Sequence, residues 1–186
     1  MNSPSNQPGK PGQEPDNPQP TKNMGRGMYM LAWIFAIALL TLFFSGHEKR
    51  KINPNQNPES RVLNGNTEVV LQQNRQGHYV TNGTINGVEV TFLLDTGATD
   101  VSIPEHIADK IGLKKGRAIP ISTANGTIRA YQSWISRLGI GEMIIEDVDA
   151  NINPEVREDF ILLGMSALKK LEFTQRDGTL TLRNYQ

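Results

Sequence analysis

The sequence predicts an all-β fold: a small barrel-like domain of short strands with one or two short helices, preceded by a single transmembrane helix. Three observations predict it. From about residue 68 the chain runs in short β-like segments separated by tight-turn signals, Asn86-Gly87, Asn125-Gly126 and Asp177-Gly178. Helix signals in that region are confined to two short stretches. Near the N-terminus, residues 28–44 form one uncharged apolar run, at the low end of the about 20 residues that cross a bilayer as a helix.

Residues 1–27 are rich in Pro, Asn, Gln and Gly and show no apolar period. Such a segment cannot bury enough surface to offset its ordering entropy, so it reads as a disordered tail. In the run 28–44, Tyr29 and Trp33 sit near one end, where amphipathic rings favour a membrane interface. A buried soluble helix is the poorer reading, because the run is apolar on every face. A cleaved signal peptide is also poorer, because the preceding region is long and Phe44-Ser45-Gly46 is a weak cleavage site. Residues 45–67 read as a polar linker, with Asn-Pro at 53–54 and again at 57–58. Residues 68–186 are the β domain. Within it, Asn86-Gly87 between alternating segments is the signature of a type I′ hairpin. Pro104 can open a short helix with Ile107 and Ile111 on one face and Gly112 at its end. A second short helix is expected over 164–171.

Composition closes several routes. There is no cysteine, so disulfides, zinc thiolates and cysteine nucleophiles are excluded. His47, His78 and His106 lack ligand spacing, and no metal is expected. Formal net charge is zero and no basic stripe exists, so nucleic acid is not an expected partner. Asn82-Gly83-Thr84 and Asn125-Gly126-Thr127 match a glycosylation acceptor pattern, but both fall at predicted turns, whose chemistry would account for them. Gly139-Ile140-Gly141 is only a fragment of a nucleotide loop and reads as a strand connection.

The chemically informative stretch is Phe92-Leu93-Leu94-Asp95-Thr96-Gly97-Ala98-Thr99-Asp100. An apolar strand runs straight into Asp-Thr-Gly and would carry the carboxylate to the edge of the core. A turn aspartate ordinarily has polar neighbours. Much later comes Phe160-Ile161-Leu162-Leu163-Gly164, followed by the short amphipathic segment Met165–Leu171. Together these elements resemble the retropepsin-like aspartic proteases, retroviral and bacterial, over about residues 68–186. Bacterial single-domain members with an N-terminal membrane segment are the nearest pattern. The resemblance implies a retropepsin-like barrel in which Asp95 is the catalytic carboxylate. Thr96 would brace the loops across a dimer axis and Gly97 would let substrate approach the backbone. Thr99 and Asp100 would touch substrate, and Thr123, Ala124, Asn125 and Gly126 would form the tip of a flap hairpin. Gly164 would support the Asp95 loop. No cofactor is implied.

Asp-Thr-Gly occurs once, whereas this chemistry needs two carboxylates sharing a proton, one acting on water and one on the carbonyl oxygen. The second must come from another chain, so the resemblance implies a homodimer acting on a peptide or protein substrate. One departure bears on that dimer. Retroviral members commonly have Asp at the place of Thr99 and Arg at the place of Met165, and here both are absent. The competing reading is a non-catalytic peptide-binding or scaffold module on the same fold. Topology is pulled two ways. Lys49, Arg50 and Lys51 after the apolar run favour a cytoplasmic domain, while the resemblance implies a periplasmic one. The expectation is a single-pass inner-membrane protein with a periplasmic domain.

Overall fold

The computed structural model describes residues 22–63, 65–123 and 126–184. The expected tail lies outside the described residues up to position 21, as do Ala124 and Asn125 of the expected flap tip. The chain divides into two compact units between Phe43 and Phe44, each described here by itself.

The first helix, α1, spans Lys22–Ile52. No proline interrupts its apolar stretch, and Ala and Leu are good helix formers. From Met28 to Phe43 its side chains are all exposed, including Leu31 and Leu42 at 66% and 70%. Among the described residues, no helix is long and apolar enough to cross a membrane.

The second unit is predominantly β. Two strands, β1 (Glu59–Leu63) and β2 (Asn66–Gln72), are followed by β3 (Val80–Ile85), β4 (Val88–Leu94) and β5 (Val101–Pro104). Helix α2 (Glu105–Lys110) then leads to β6 (Ala118–Thr123), β7 (Gly126–Ile140) and β8 (Met143–Asn153). The chain ends with β9 (Ile161–Leu163), α3 (Met165–Leu168), β10 (Glu172–Arg176) and β11 (Thr179–Asn184). A four-stranded sheet has the order β1-β2-β11-β10, and a seven-stranded sheet the order β3-β4-β9-β5-β8-β7-β6. Thr84 and Ile85 of β3 also pair with Gly139 and Leu138 of β7. That contact closes the larger sheet into a barrel and leaves β6, with the start of β7, as a hairpin outside the ring. Gly83 permits the closure, since a Cβ there would lie 2.3 Å from the Gly139 carbonyl oxygen.

Turn chemistry fixes the hairpin registers. Asn86 and Gly87 have φ of 51° and 86°, and Asp177 and Gly178 have 49° and 73°. Positive φ at both central residues is the type I′ requirement. The barrel interior is filled by Phe92, Ile85, Ile103, Ile135, Leu138, Ile140, Ile152, Ile161 and Leu163, all fully buried. Pro104 stands at the N-cap of α2, Ile107 and Ile111 face inward, and Gly112 has a φ of 71° just beyond the helix. The second helix is shorter than expected. After α3 the chain leaves Leu168 through a turn and Leu171 is buried beside it.

The segment read from sequence as a polar linker is largely structured. It holds the end of α1, all of β1 and a set of buried asparagines at 53 and 55. The folded unit therefore starts well before residue 68. Polar side chains read as linker when their partners lie far away in sequence.

Candidate active site

Asp95 follows the last residue of β4. Its position is set from both sides, because the Leu94 amide donates to the Tyr79 carbonyl at 3.0 Å and the Asp95 amide donates to the Leu163 carbonyl at 3.1 Å. Strand β9 runs parallel to β4 with Phe92, Leu93 and Leu94 opposite Ile161, Leu162 and Leu163. Leu162 in turn pairs with Ser102 of β5. The two strands flanking the Asp-Thr-Gly loop are thus held together by β9 inserted between them.

The loop is a tight turn. The Ala98 amide donates to the Asp95 carbonyl at 3.2 Å, and the Gly97 amide donates to the Asp95 Oδ1 at 2.8 Å. The second bond orients the carboxylate, which is half-buried, while Thr96, Gly97 and Thr99 are exposed. A Cβ at Gly97 would lie 3.1 Å from that same oxygen.

Gly164 packs against the loop and leaves no room for a side chain. A Cβ there would lie 2.2 Å from the Asp100 carbonyl oxygen and 2.7 Å from that of Ala98. Just after it, the Met165 amide donates to Ala98 and the Ser166 amide to Thr99, both at 2.8 Å. Helix α3 therefore spends its free N-terminal amides on the carbonyls of the Asp95 loop. Sequence reasoning missed Ser166. Its buried hydroxyl accepts from the Val101 amide at 3.0 Å and donates to the Asp149 carbonyl at 2.7 Å. One small polar residue among the apolar neighbours of Met165–Leu168 was the available signal.

Asp95, Gly97, Thr99, Asp100 and Gly164 are thus brought into one unit. Of the residues expected at a flap tip, Thr123 and Gly126 are described: they end β6 and begin β7 and pair with each other, the Thr123 hydroxyl donates to the Gly126 carbonyl at 2.8 Å, and Gly126 has a φ of 121°. The Asp100 loop and the Ile119 strand of that hairpin line one open groove of about 1040 Å³. Trp134 and the 112–117 segment form its further walls. That segment is fixed to β7, with the Gly116 amide donating to the Gln132 carbonyl at 2.8 Å. Lys115 lies over the Tyr131 ring at 5.6 Å and pairs with Glu105, whose hydrogen bond raises the lysine pKa above its ordinary value. Among the described residues, no group of His, Asp or Glu is placed to hold a metal ion.

Residues 81–170 match a family described as "gag-polyprotein putative aspartyl protease". An uncharacterized protein in the cobV 5′ region of Sinorhizobium sp. is 35% identical over 124 residues, covering 64% of this chain and 53% of that protein. The uncharacterized protein RP867 of Rickettsia prowazekii (strain Madrid E) is 31% identical over 126 residues, covering 63% of this chain and 52% of that one. The chain thus spans about half the length of the curated relatives it matches. Among solved structures, a retropepsin-like aspartic protease from Rickettsia conorii superposes with a TM-score of 0.53 at 24% identity, covering 68% of this chain and 94% of that one.

Proposed function

We propose that this domain, which has the retropepsin-like fold and carries the aspartyl-protease family match over residues 81–170, is an aspartic endopeptidase assembled from two identical chains. The observation that carries the reading is the Asp95 carboxylate. It is half-buried at the end of a core strand, and the Gly97 amide fixes its orientation. A scaffold has no use for a carboxylate held in that way.

Each chain supplies one Asp95. With the two carboxylates on a two-fold axis, a water bound between them is activated by one, while the other delivers a proton to the substrate carbonyl oxygen. Two unit charges about 4 Å apart repel by roughly 4 kcal/mol at an effective dielectric of 20, so the pair shares one proton and titrates as a unit. Thr96, exposed in the single chain, faces the partner loop. Thr99 and Asp100 meet substrate backbone, and the β6–β7 hairpin covers it.

Although no described helix meets the length and apolarity of a span, the uncharged apolar run 28–44 supports our proposal of an anchor in the inner membrane with the protease domain in the periplasm. The outward-facing apolar side chains of 28–43 support the anchor. Alkaline phosphatase and β-lactamase fusions after the C-terminus test the orientation, and reporter activity confined to the cytoplasm would reverse it.

The test of catalysis is Asp95→Asn, which preserves shape but cannot share the proton. The expected outcome is loss of peptide hydrolysis with an unchanged circular dichroism spectrum. Hydrolysis by the purified variant at near the parental rate would rule out the dyad.

A further inference from the structure

We propose that Asn55 is a positioning residue: its carboxamide staples the four-stranded sheet to the barrel and, through β3, steadies the strand end that presents Asp95. Only the effect on hydrolysis rests on the endopeptidase reading. The matched family stretch begins at residue 81, so this staple lies outside it.

Asn55 is 5% exposed and pairs with Thr81 as an isolated parallel bridge. Its side chain uses both donor hydrogens and its oxygen. Nδ2 donates to the Gln72 carbonyl at 2.9 Å and to the Val80 carbonyl at 2.7 Å, while Oδ1 accepts from the Gln72 amide at 2.6 Å. Gln72 ends β2, in the smaller sheet, and Val80 begins β3, in the barrel. One carboxamide therefore joins the two sheets. Its backbone is engaged as well. The Asn55 carbonyl accepts from the Asn82 amide and the Thr81 hydroxyl, both at 3.1 Å, and the Asn55 amide donates to Asn53 Oδ1 at 2.9 Å. Asn53 Nδ2 donates in turn to Asn82 Oδ1 at 2.7 Å. Pro54 between them fixes its own φ and restricts the backbone of Asn53 before it.

The residue type follows from this geometry. Aspartate would place acceptors, and in its ionised form a charge, against two carbonyl oxygens. Alanine would leave the part-buried Gln72 amide and carbonyl, and the buried Val80 carbonyl, without this partner. From the staple to the catalytic loop is a short path. Val80 lies opposite Leu93, and the neighbouring Tyr79 carbonyl accepts the Leu94 amide immediately before Asp95.

The experiment compares full-length wild type, Asn55→Ala and, as a control of matched thermal destabilisation, Leu182→Ala in β11. Hydrogen exchange is followed at the amides of residues 80–82 and 92–95 under native conditions. Asn55→Ala is expected to accelerate exchange at the Leu94 amide about tenfold beyond the control, the effect of losing one or two buried hydrogen bonds. Where peptide hydrolysis is measurable, kcat is expected to fall about tenfold while KM stays within about twofold. Exchange at Leu94 equal to that of Leu182→Ala, or a lower melting temperature with unchanged kcat, would make Asn55 merely structural and overturn the proposal. If wild type does not cleave peptides, or Asp95→Asn does, the endopeptidase reading fails and the exchange result still decides the staple. Should Asn55→Ala not fold, Asn53→Ala, which removes only the supporting amide, is read by the same exchange criterion.

Discussion

Gly164→Ala is the sharpest probe of how the Asp95 loop is held. The added methyl would sit 2.2 Å from the Asp100 carbonyl oxygen and 2.7 Å from that of Ala98, both of them backbone atoms that no rotamer change can move aside. The 98–100 backbone must retreat by about 1 Å, an overpacking cost of about 1–3 kcal/mol. The same displacement weakens the bonds from the Met165 and Ser166 amides to Ala98 and Thr99, each worth about 1 kcal/mol. The total is about 3–5 kcal/mol, and at about 3–5 °C per kcal/mol for a domain of this size the melting temperature falls by 10 °C or more. On the endopeptidase reading, a 1 Å misplacement of Asp95 also costs on the order of 100-fold in rate. Thermal melting by circular dichroism and kcat/KM on a fluorogenic peptide check both numbers. A variant that melts within 2 °C of wild type (roughly 0.5 kcal/mol) and cleaves within about twofold would refute the close packing of Gly164 on the loop.

Two further substitutions test neighbouring features. Ser166→Ala strips the partners from the Val101 amide and the Asp149 carbonyl and should destabilise the domain by about 2–4 kcal/mol, with Ser166→Thr recovering part of the loss; chemical denaturation measures it. Tyr79→Phe should be neutral or stabilising by up to about 1 kcal/mol, because the buried Tyr79 hydroxyl has no hydrogen-bond partner among the described residues. Burial raises the Tyr79 pKa above the ordinary phenol value, so its neutral form favours the folded state fully below that value. That contribution is lost as pH rises through the folded-state pKa, and the loss should be absent in Tyr79→Phe when melting temperatures are compared across the alkaline range.

Local chemistry made much of this fold legible from sequence. Asn86-Gly87 and Asp177-Gly178 specify their own turns, and Pro104, Ile107, Ile111 and Gly112 delimit a helix within a few residues of one another. Asp95 was legible because an apolar strand runs into it, and Gly164 because a second apolar strand ends at it. The insertion of β9 between β4 and β5 was not, since three residues, Ile161–Leu163, find partners some 60–70 positions away and carry no turn signal that names them. Ser166 was missed for a related reason: a serine in a short helix looks like a surface residue until its two backbone partners are known. Asn53 and Asn55 were misread because Asn-Pro is turn chemistry locally. Their burial is permitted only by acceptors and donors on β2 and β3, which convert polar residues into interior ones.

The absence of an ion pair at positions 99 and 165 has a consequence for assembly. Met165 is half-buried against the core, and Thr99 is exposed with its carbonyl engaged by the Ser166 amide. The loop is therefore braced inside one chain by backbone hydrogen bonds and the Ser166 hydroxyl. On the endopeptidase reading, association has only to supply the second carboxylate, and a weak dimer suffices if the chains are held at high effective concentration. Confinement of α1 to one bilayer would do that. Full-length protein in vesicles and a soluble fragment beginning at Ile52, which retains the Asn74-to-Ile52 hydrogen bond and the asparagine staple, should then reach the same kcat at saturating protein. The fragment should need a much higher total concentration for half-maximal activity, and its rate should rise more steeply than linearly below that point. A fragment that stays fully active at concentrations where sedimentation shows only monomer would overturn the shared dyad, and with it the argument that one Asp95 is insufficient.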